Sequence, residues 1–154
     1  MQRDLFSTLD TLSTDAIIAE IRRRYQTNPP RPKVRRPADI LPAVERWIIE
    51  PVEYFLVCTL DGAHTVINTH VVSQGLVNRT VVHPREVLRP AIIDAAAAII
   101  LAHNHPSGAL EPSAEDIEVT RRMTQAAAII GIPILDHVIV GKAGYYSFLE
   151  HENL

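Results

Sequence analysis

Two histidines separated by one residue, His103-Asn104-His105, stand at the end of an apolar run, and a carboxylate, Asp116, follows downstream. In an extended strand residues i and i+2 face the same side about 6.6 Å apart along the chain, so both imidazoles can converge on one ion. Asp116 falls in the first turn of a helix opened by Ser113, and Pro106-Ser107-Gly108 with Pro112 supplies the means of folding that helix back toward the histidines. Two imidazoles and one carboxylate are three hard or borderline ligands, leaving the fourth tetrahedral position for water. That is the layout of a catalytic site holding one Zn2+ per chain. Each part taken singly has a plainer role. An H-x-H pair at a strand end is commonly packing or surface, and Ser113-x-x-Asp116 is close to a capping box, in which hydroxyl and carboxylate satisfy free helix N–H groups. Their combination in one strand-loop-helix frame is what points to a metal.

The surrounding sequence reads as alternating strands and helices. A helix is expected over Pro37 to Ile49, started by Asp39 or Pro42 and ending before Pro51. Tyr54 to Leu60 is a β-prone run stopped by Asp61-Gly62, which leads into a second run from Thr65 to Val72 and so forms a hairpin. A further strand is expected over Thr80 to His83. Pro84 then suits a first helical position, with Arg85 to Ala96 continuing as helix. Ala97 to His103 is an apolar strand whose boundary with that helix the pattern leaves open. Ser113 opens a helix running to Gly131, with Ile117, Thr120, Met123, Thr124, Ala127 and Ile130 on one face and Gly131 as the stop. Ile134 to Val140 and Tyr145 to Phe148 are expected strands around Gly141 to Gly144. A sheet with helices packed against it, an α/β architecture, is the simplest assembly.

Composition bounds the rest. The chain has 154 residues, 47% hydrophobic and 21% charged, with a formal charge of −3. This suits one globular domain with a tail, able to form a core without disulfides. Cys58 is alone, which excludes an internal disulfide framework and a multi-cysteine zinc site and favours a reducing compartment. Apolar stretches such as Ala95 to Ala102 fall short of the ~20 residues a bilayer span needs. Nothing at the N-terminus, which carries Asp4 and Asp10, reads as a secretory signal. A cytoplasmic protein with no membrane partner is expected.

The charge is unevenly placed. Residues 1–37 hold eight basic and four acidic side chains, whereas 38–154 hold seven and fourteen. Between Ile21 and Ala38 there is no acid, and the arginines alternate with Pro29, Pro30, Pro32 and Pro37, so an extended segment is expected. Before it, Ser13 can cap a short helix from Thr14 to Tyr25 with Ile17, Ile18 and Ile21 as its apolar stripe. Two parts follow: an N-terminal helix and basic proline-rich leader over 1–37, and the main domain over 38–154. The leader could meet nucleic acid or an acidic partner, or be a solvated linker. With Tyr25 the one aromatic between Ile21 and Ala38, a stacking platform for single strands is not supported.

His103-x-His105, seven intervening residues, Ser113, two more and Asp116 match the JAMM (MPN+/JAB) metalloprotease motif without a gap. His103 to Asp116 (HNHPSGALEPSAED), the preceding Val82-His83-Pro84-Arg85-Glu86-Val87 and the following Leu135-Asp136-His137-Val138-Ile139-Val140-Gly141 more closely resemble the RadC family of bacterial JAMM-like proteins. The resemblance extends from about Ala38 to the C-terminus. It implies a mixed JAMM/MPN-type sheet flanked by helices, of a kind related to cytidine deaminases. It also implies zinc ligation by His103, His105 and Asp116, with Ser113 helping to hold the tetrahedral intermediate. A glutamate on a neighbouring strand is required as well, and Glu53, immediately before Tyr54, occupies that position. Glu50 is the nearest competitor, but it precedes Pro51. The chemistry so implied is hydrolysis of a peptide or isopeptide bond in a peptide or protein substrate. Zinc acidifies its water, Glu53 takes the proton and returns it to the leaving amine, and Ser113 hydrogen-bonds the developing oxyanion.

Other polar residues read more plainly. His137, beside Asp136 in a strand, is expected in the core or supporting the ligands rather than as a ligand. Ser107-Gly108 shapes the loop, His83 starts a helix and Cys58 is buried and inert. A zinc deaminase is the nearest rival enzyme, but it needs H-x-E with P-C-x-x-C, and Cys58 has no partner. The other rival is a weakly active or non-catalytic RadC-like binding module associated with DNA or DNA-repair partners. The leader is too short and proline-rich for the helix-hairpin-helix segment that full-length relatives carry, so DNA binding is not carried over. Exposed sheet edges and the N-terminal helix would suit a homodimer.

Overall fold

The computed structural model describes residues 13–19, 31–75 and 82–154, and the chain divides into two units, Met1–Arg31 and Pro32–Leu154. In the first, residues 14–19 form helix α1, and Ser13 Oγ accepts from the Ala16 N–H at 3.2 Å, as a cap should. The rest of the expected N-terminal helix, and the basic stretch up to Pro30, lie outside the described residues. The second unit begins at Pro32, ahead of the expected boundary at Ala38. Two contacts account for this: Val34 is buried in the core, and Lys33 bridges Thr65.

One helix was expected over Pro37 to Ile49, and three short turns replace it. They are a 3-10 turn at Pro37–Ile40, a single α-turn, α2, at Leu41–Val44, and a 3-10 turn at Glu45–Trp47. Pro42 lacks an N–H and its ring crowds the preceding turn, which disfavours one continuous helix running through it. The broken path still lays Ile40, Val44 and Trp47 onto the sheet.

Five strands form that sheet: β1 (Tyr54–Leu60), β2 (Val66–Gln74), β3 (Ala98–Asn104), β4 (Ile134–Gly141) and β5 (Gly144–Ser147), in the order β2-β1-β3-β4-β5. The β3–β4 pair is parallel and the others are antiparallel. The expected hairpin is β1–β2, and Asp61 closes its turn by accepting at Oδ1 from the Ala63 and Thr65 N–H groups, both at 2.8 Å. Of the strand expected over Thr80 to His83, residues 80–81 are outside the description. Val82 and His83 are not strand, and His83 is instead the N-cap of α3 (Pro84–Ile93). That helix stops short of Ala96 because the chain turns at Asp94 and Ala95, where φ is 50°. Helix α4 (Ala114–Ile130) ends at Gly131 with φ 80°, a left-handed C-cap that glycine adopts without strain.

The strands β1 and β3 are buried on both faces, as near-continuous apolar runs require. One face sets Leu56, Cys58, Ile100, Ala102, Val138 and Val140 against Ile40, Val44 and Trp47. The other sets Phe55, Val57, Ile99 and Leu101 against Val87, Leu88 and Ala91 of α3 and Met123 and Ala127 of α4. The buried stripe of α4 is Asp116, Thr120, Met123 and Ala127, whereas Ile117 and Ile130, expected on it, are 44% and 49% exposed. The stripe is thus displaced toward Asp116. A carboxylate and a hydroxyl thereby sit at the sheet-facing end of an otherwise apolar line, on the face toward which His103 projects.

Candidate metal centre

The end of β3 supplies both histidines. His103 is fully buried on the α3/α4 face, and His105 follows as the chain leaves the sheet. The His105 ring is oriented by its own loop. Its Nδ1 donates to the Ala109 carbonyl at 2.7 Å, while the Gly108 N–H bonds back to the His105 carbonyl at 2.9 Å and Gly108 takes φ 81°. Ser107 Oγ accepts from the Ala109 N–H at 3.3 Å, the loop-shaping role expected of it. With Nδ1 so committed, the neutral His105 ring has its lone pair on Nε2.

The start of α4 supplies the carboxylate through a complete capping box. Ser113 Oγ accepts from the Asp116 N–H at 3.1 Å, and Asp116 Oδ2 accepts from the Ser113 N–H at 2.7 Å and the Ser113 hydroxyl at 2.6 Å. Asp116 is thus both the N3 partner of the capping box and the candidate ligand. Asp116 Oδ1 lies 3.2 Å from His103 Nε2 and Oδ2 lies 3.5 Å from His105 Nε2, and the two Nε2 atoms are 2.9 Å apart.

Glu53 arrives from the far side of the β1–β3 pair. Phe55 is registered with His103, so continuing that antiparallel ladder by two residues brings Glu53 across from His105. One ligand atom from each of Glu53, His103, His105 and Asp116 lies within 4.8 Å of the others. Glu50 is not in this group; its backbone carbonyl faces the Asn104 amide at 3.5 Å.

The donor set suits a borderline divalent cation. Two imidazole nitrogens and two carboxylates, one of each half-buried, meet where they would otherwise repel one another, which is the ligand chemistry of zinc. Burial works against ionisation of Asp116, but the imidazoles of His103 and His105 beside it outweigh burial and hold the carboxyl well below the usual carboxylate range. The hydrogen bond to Asp116 is the main cause that raises the His105 pKa. For Glu53 burial dominates and raises the pKa, with the neighbouring histidines partly opposing it. Asp116 is therefore a fixed anion and Glu53 the carboxyl better matched to exchanging a proton near neutral pH.

His137 stands behind His103 rather than in the ligand cluster, its Nε2 2.8 Å from His103 Nδ1. Cys58 lies buried on the opposite face of the sheet, where burial pushes its thiol up to about 12. Two residues of the site carry no earlier expectation of a role there. Asn104 is a buried amide in an apolar strand that bonds the chain beside Glu53, and Thr120 is a buried hydroxyl bonded to His137. Their signal in the sequence is small: a polar side chain set in each of two largely apolar patterns.

The family model of the RadC-like JAB domain matches residues 34–154. Among similar proteins, a UPF0758 protein of Rubrobacter xylanophilus is 47% identical over 135 residues, covering 86% of this chain and 59% of the relative. One from Methanospirillum hungatei is 48% identical over 127 residues, covering 80% and 56%. One from Symbiobacterium thermophilum is 52% identical over 99 residues, covering 64% and 42%. The chain spans about half the length of these relatives. None of the described helices is long and apolar enough to cross a membrane.

Proposed function

Because this chain belongs to the RadC-like JAB domain family, we propose that it is a zinc-dependent hydrolase of JAMM type that cleaves a peptide or isopeptide bond with a metal-activated water. The observation that carries this reading is the meeting of Glu53, His103, His105 and Asp116 within 4.8 Å, from two strand ends and a helix start. His103, His105 and Asp116 would hold the ion. When bound, zinc supplies a Lewis acid and a water whose pKa falls toward ~7.

The chain's own groups do the rest. Glu53, with its pKa raised by burial, accepts a proton from the nucleophilic water and delivers it to the departing amine. Ser113 is the donor proposed for the developing oxyanion, an interaction worth about 3 kcal/mol in comparable sites. Its hydroxyl proton rests on Asp116 Oδ2 at 2.6 Å, so that service requires the hydroxyl to turn. The Ser113 N–H meanwhile keeps its 2.7 Å hold on the same oxygen. A reducing, cytoplasmic setting is part of the reading, and the single buried Cys58 agrees with it.

The test begins with zinc content of the full chain purified without added metal, beside His103→Ala and Asp116→Ala. About one zinc per chain, lost in both folded variants, supports the centre. Hydrolysis of peptide and isopeptide substrates should then fall roughly 10²- to 10⁴-fold in Glu53→Gln, with zinc retained. A folded wild-type chain that takes up no zinc on titration overturns the proposal.

A further inference from the structure

For His103 to serve as a ligand it must present Nε2 as a lone pair, and a neutral imidazole has two tautomers. Which one forms is set by the partner of the other nitrogen. Behind His103 the structure holds a file of three bonds. His103 Nδ1 lies 2.8 Å from His137 Nε2, His137 Nδ1 lies 2.6 Å from Thr120 Oγ1, and the Thr120 hydroxyl donates to the Asp116 carbonyl at 2.6 Å.

The protons in that file have one consistent order. A carbonyl only accepts, and a threonine hydroxyl has one proton to give. Once that proton is on the Asp116 carbonyl, Thr120 Oγ1 must accept from His137, which places the His137 proton on Nδ1. His137 Nε2 then accepts from His103 Nδ1–H, and His103 Nε2 is left as a lone pair facing His105 and Asp116. The opposite order would aim an N–H of His103 at the cluster.

We propose that Thr120 and His137 are positioning residues that set the tautomer and ring orientation of His103; the inference rests on the metal-centre reading above. The file starts on the backbone of one ligand, Asp116, and ends on the side chain of another. It ties α4 to β3 through β4.

Packing leaves His137 no alternative partner. Its ring is fully buried, stacked on Phe148 at 4.7 Å with 14° between planes, with the edge of Phe55 at 5.5 Å. The side-chain partners of its two nitrogens are a hydroxyl and another imidazole, with no carboxylate to hold a second proton, so the ring carries a single N–H and transmits direction. As mere filling an imidazole is a poor choice here, because a buried polar ring costs free energy unless both nitrogens are bonded. The back-bond of Thr120 is ordinary in itself: Thr124 makes the same bond to the Thr120 carbonyl at 2.9 Å. What distinguishes Thr120 is the imidazole waiting on its remaining lone pair.

Histidine tautomers can be read without metal from ¹⁵N shifts and long-range ¹H–¹⁵N couplings of the stripped full chain at mildly alkaline pH. His137 and His103 are both expected as Nδ1–H. Zinc affinity, measured by competition with a chromogenic chelator, should fall roughly 10- to 100-fold in Thr120→Val. Thr120→Ser, which restores the hydroxyl, should bind as wild type does and keep the wild-type tautomers. A His103 found as Nε2–H in the wild-type chain overturns the proposal, as does a Thr120→Val chain with wild-type zinc affinity. A wild-type chain that binds no zinc instead sinks the hydrolase reading, and the metal-free spectrum still decides the tautomer assignment.

Discussion

Asn104 Oδ1 lies 2.7 Å from the backbone N–H of Tyr54, and the same amide donates from Nδ2 to the Val52 carbonyl at 3.0 Å. One fully buried side chain, from the strand that carries both histidines, thus grips the chain on either side of Glu53. Asn104→Ala leaves the Tyr54 N–H and the Val52 carbonyl without their partner, which should cost about 1–3 kcal/mol of stability. Zinc should be retained. Hydrolysis should fall on the order of 10²-fold through misplacement of Glu53, as measured by zinc stoichiometry and turnover on the same preparation, beside Glu53→Gln.

Ser113 separates two kinds of loss. Removing its hydroxyl in Ser113→Ala deletes the N-cap of α4, worth about 0.5–2 kcal/mol, together with one of the bonds holding Asp116 Oδ2. Thermal unfolding of the metal-free chain should show the first loss and chelator competition the second. Ser113→Thr should restore both, because the hydroxyl is kept.

Acid should weaken the fold through His137. Its pKa in the folded chain is lowered well below the ordinary value of 6.5, chiefly by burial, so the unfolded chain takes up the proton first as pH falls. The stability it contributes is therefore fully present above about pH 6.5 and is lost below it, at up to about 1.4 kcal/mol per pH unit. His105, raised by its bond to Asp116, acts with the opposite sign: its contribution is present below the unfolded pKa and lost as pH rises through the folded one. The His105 effect is common to both chains when metal-free wild type is compared with His137→Gln. Chemical denaturation at about pH 7.5 and about pH 5.5 should show the steeper loss in wild type. Equal slopes would count against a neutral buried His137.

Gly131→Ala serves as a control away from the candidate metal centre. No heavy atom lies within 4 Å of the position a Cβ would take, so the substitution meets only the strain of φ 80°. A loss of about 1 kcal/mol in unfolding free energy is expected, with zinc affinity unchanged.

The parts of the site that could be read from the sequence are those closed by local geometry. His103, His105, Ser113 and Asp116 fall in one strand-loop-helix stretch, and the i, i+2 spacing and the capping pattern are visible there. Glu53 was reached through family resemblance, because what brings it to His105 is the β1–β3 register, a pairing across a long stretch of intervening chain. Asn104 and Thr120 were missed for the same reason, since Asn104 holds Val52 and Tyr54, and Thr120 holds His137 on another strand. The strand and helix pattern from Tyr54 onward was largely legible. The helix expected over Pro37 to Ile49 was not formed, because apolar spacing alone does not register what Pro42 does to the turn before it.

The capping box of α4 has a consequence for how the domain breathes. Asp116 closes the first turn of the helix with the same carboxylate that faces the histidines, so a cation seated there would also clamp the helix end. Helix termini ordinarily fray first. Solvent exchange at the Ser113 and Asp116 amides would then gauge site occupancy, with slower exchange expected when an ion is held than when it is chelated away.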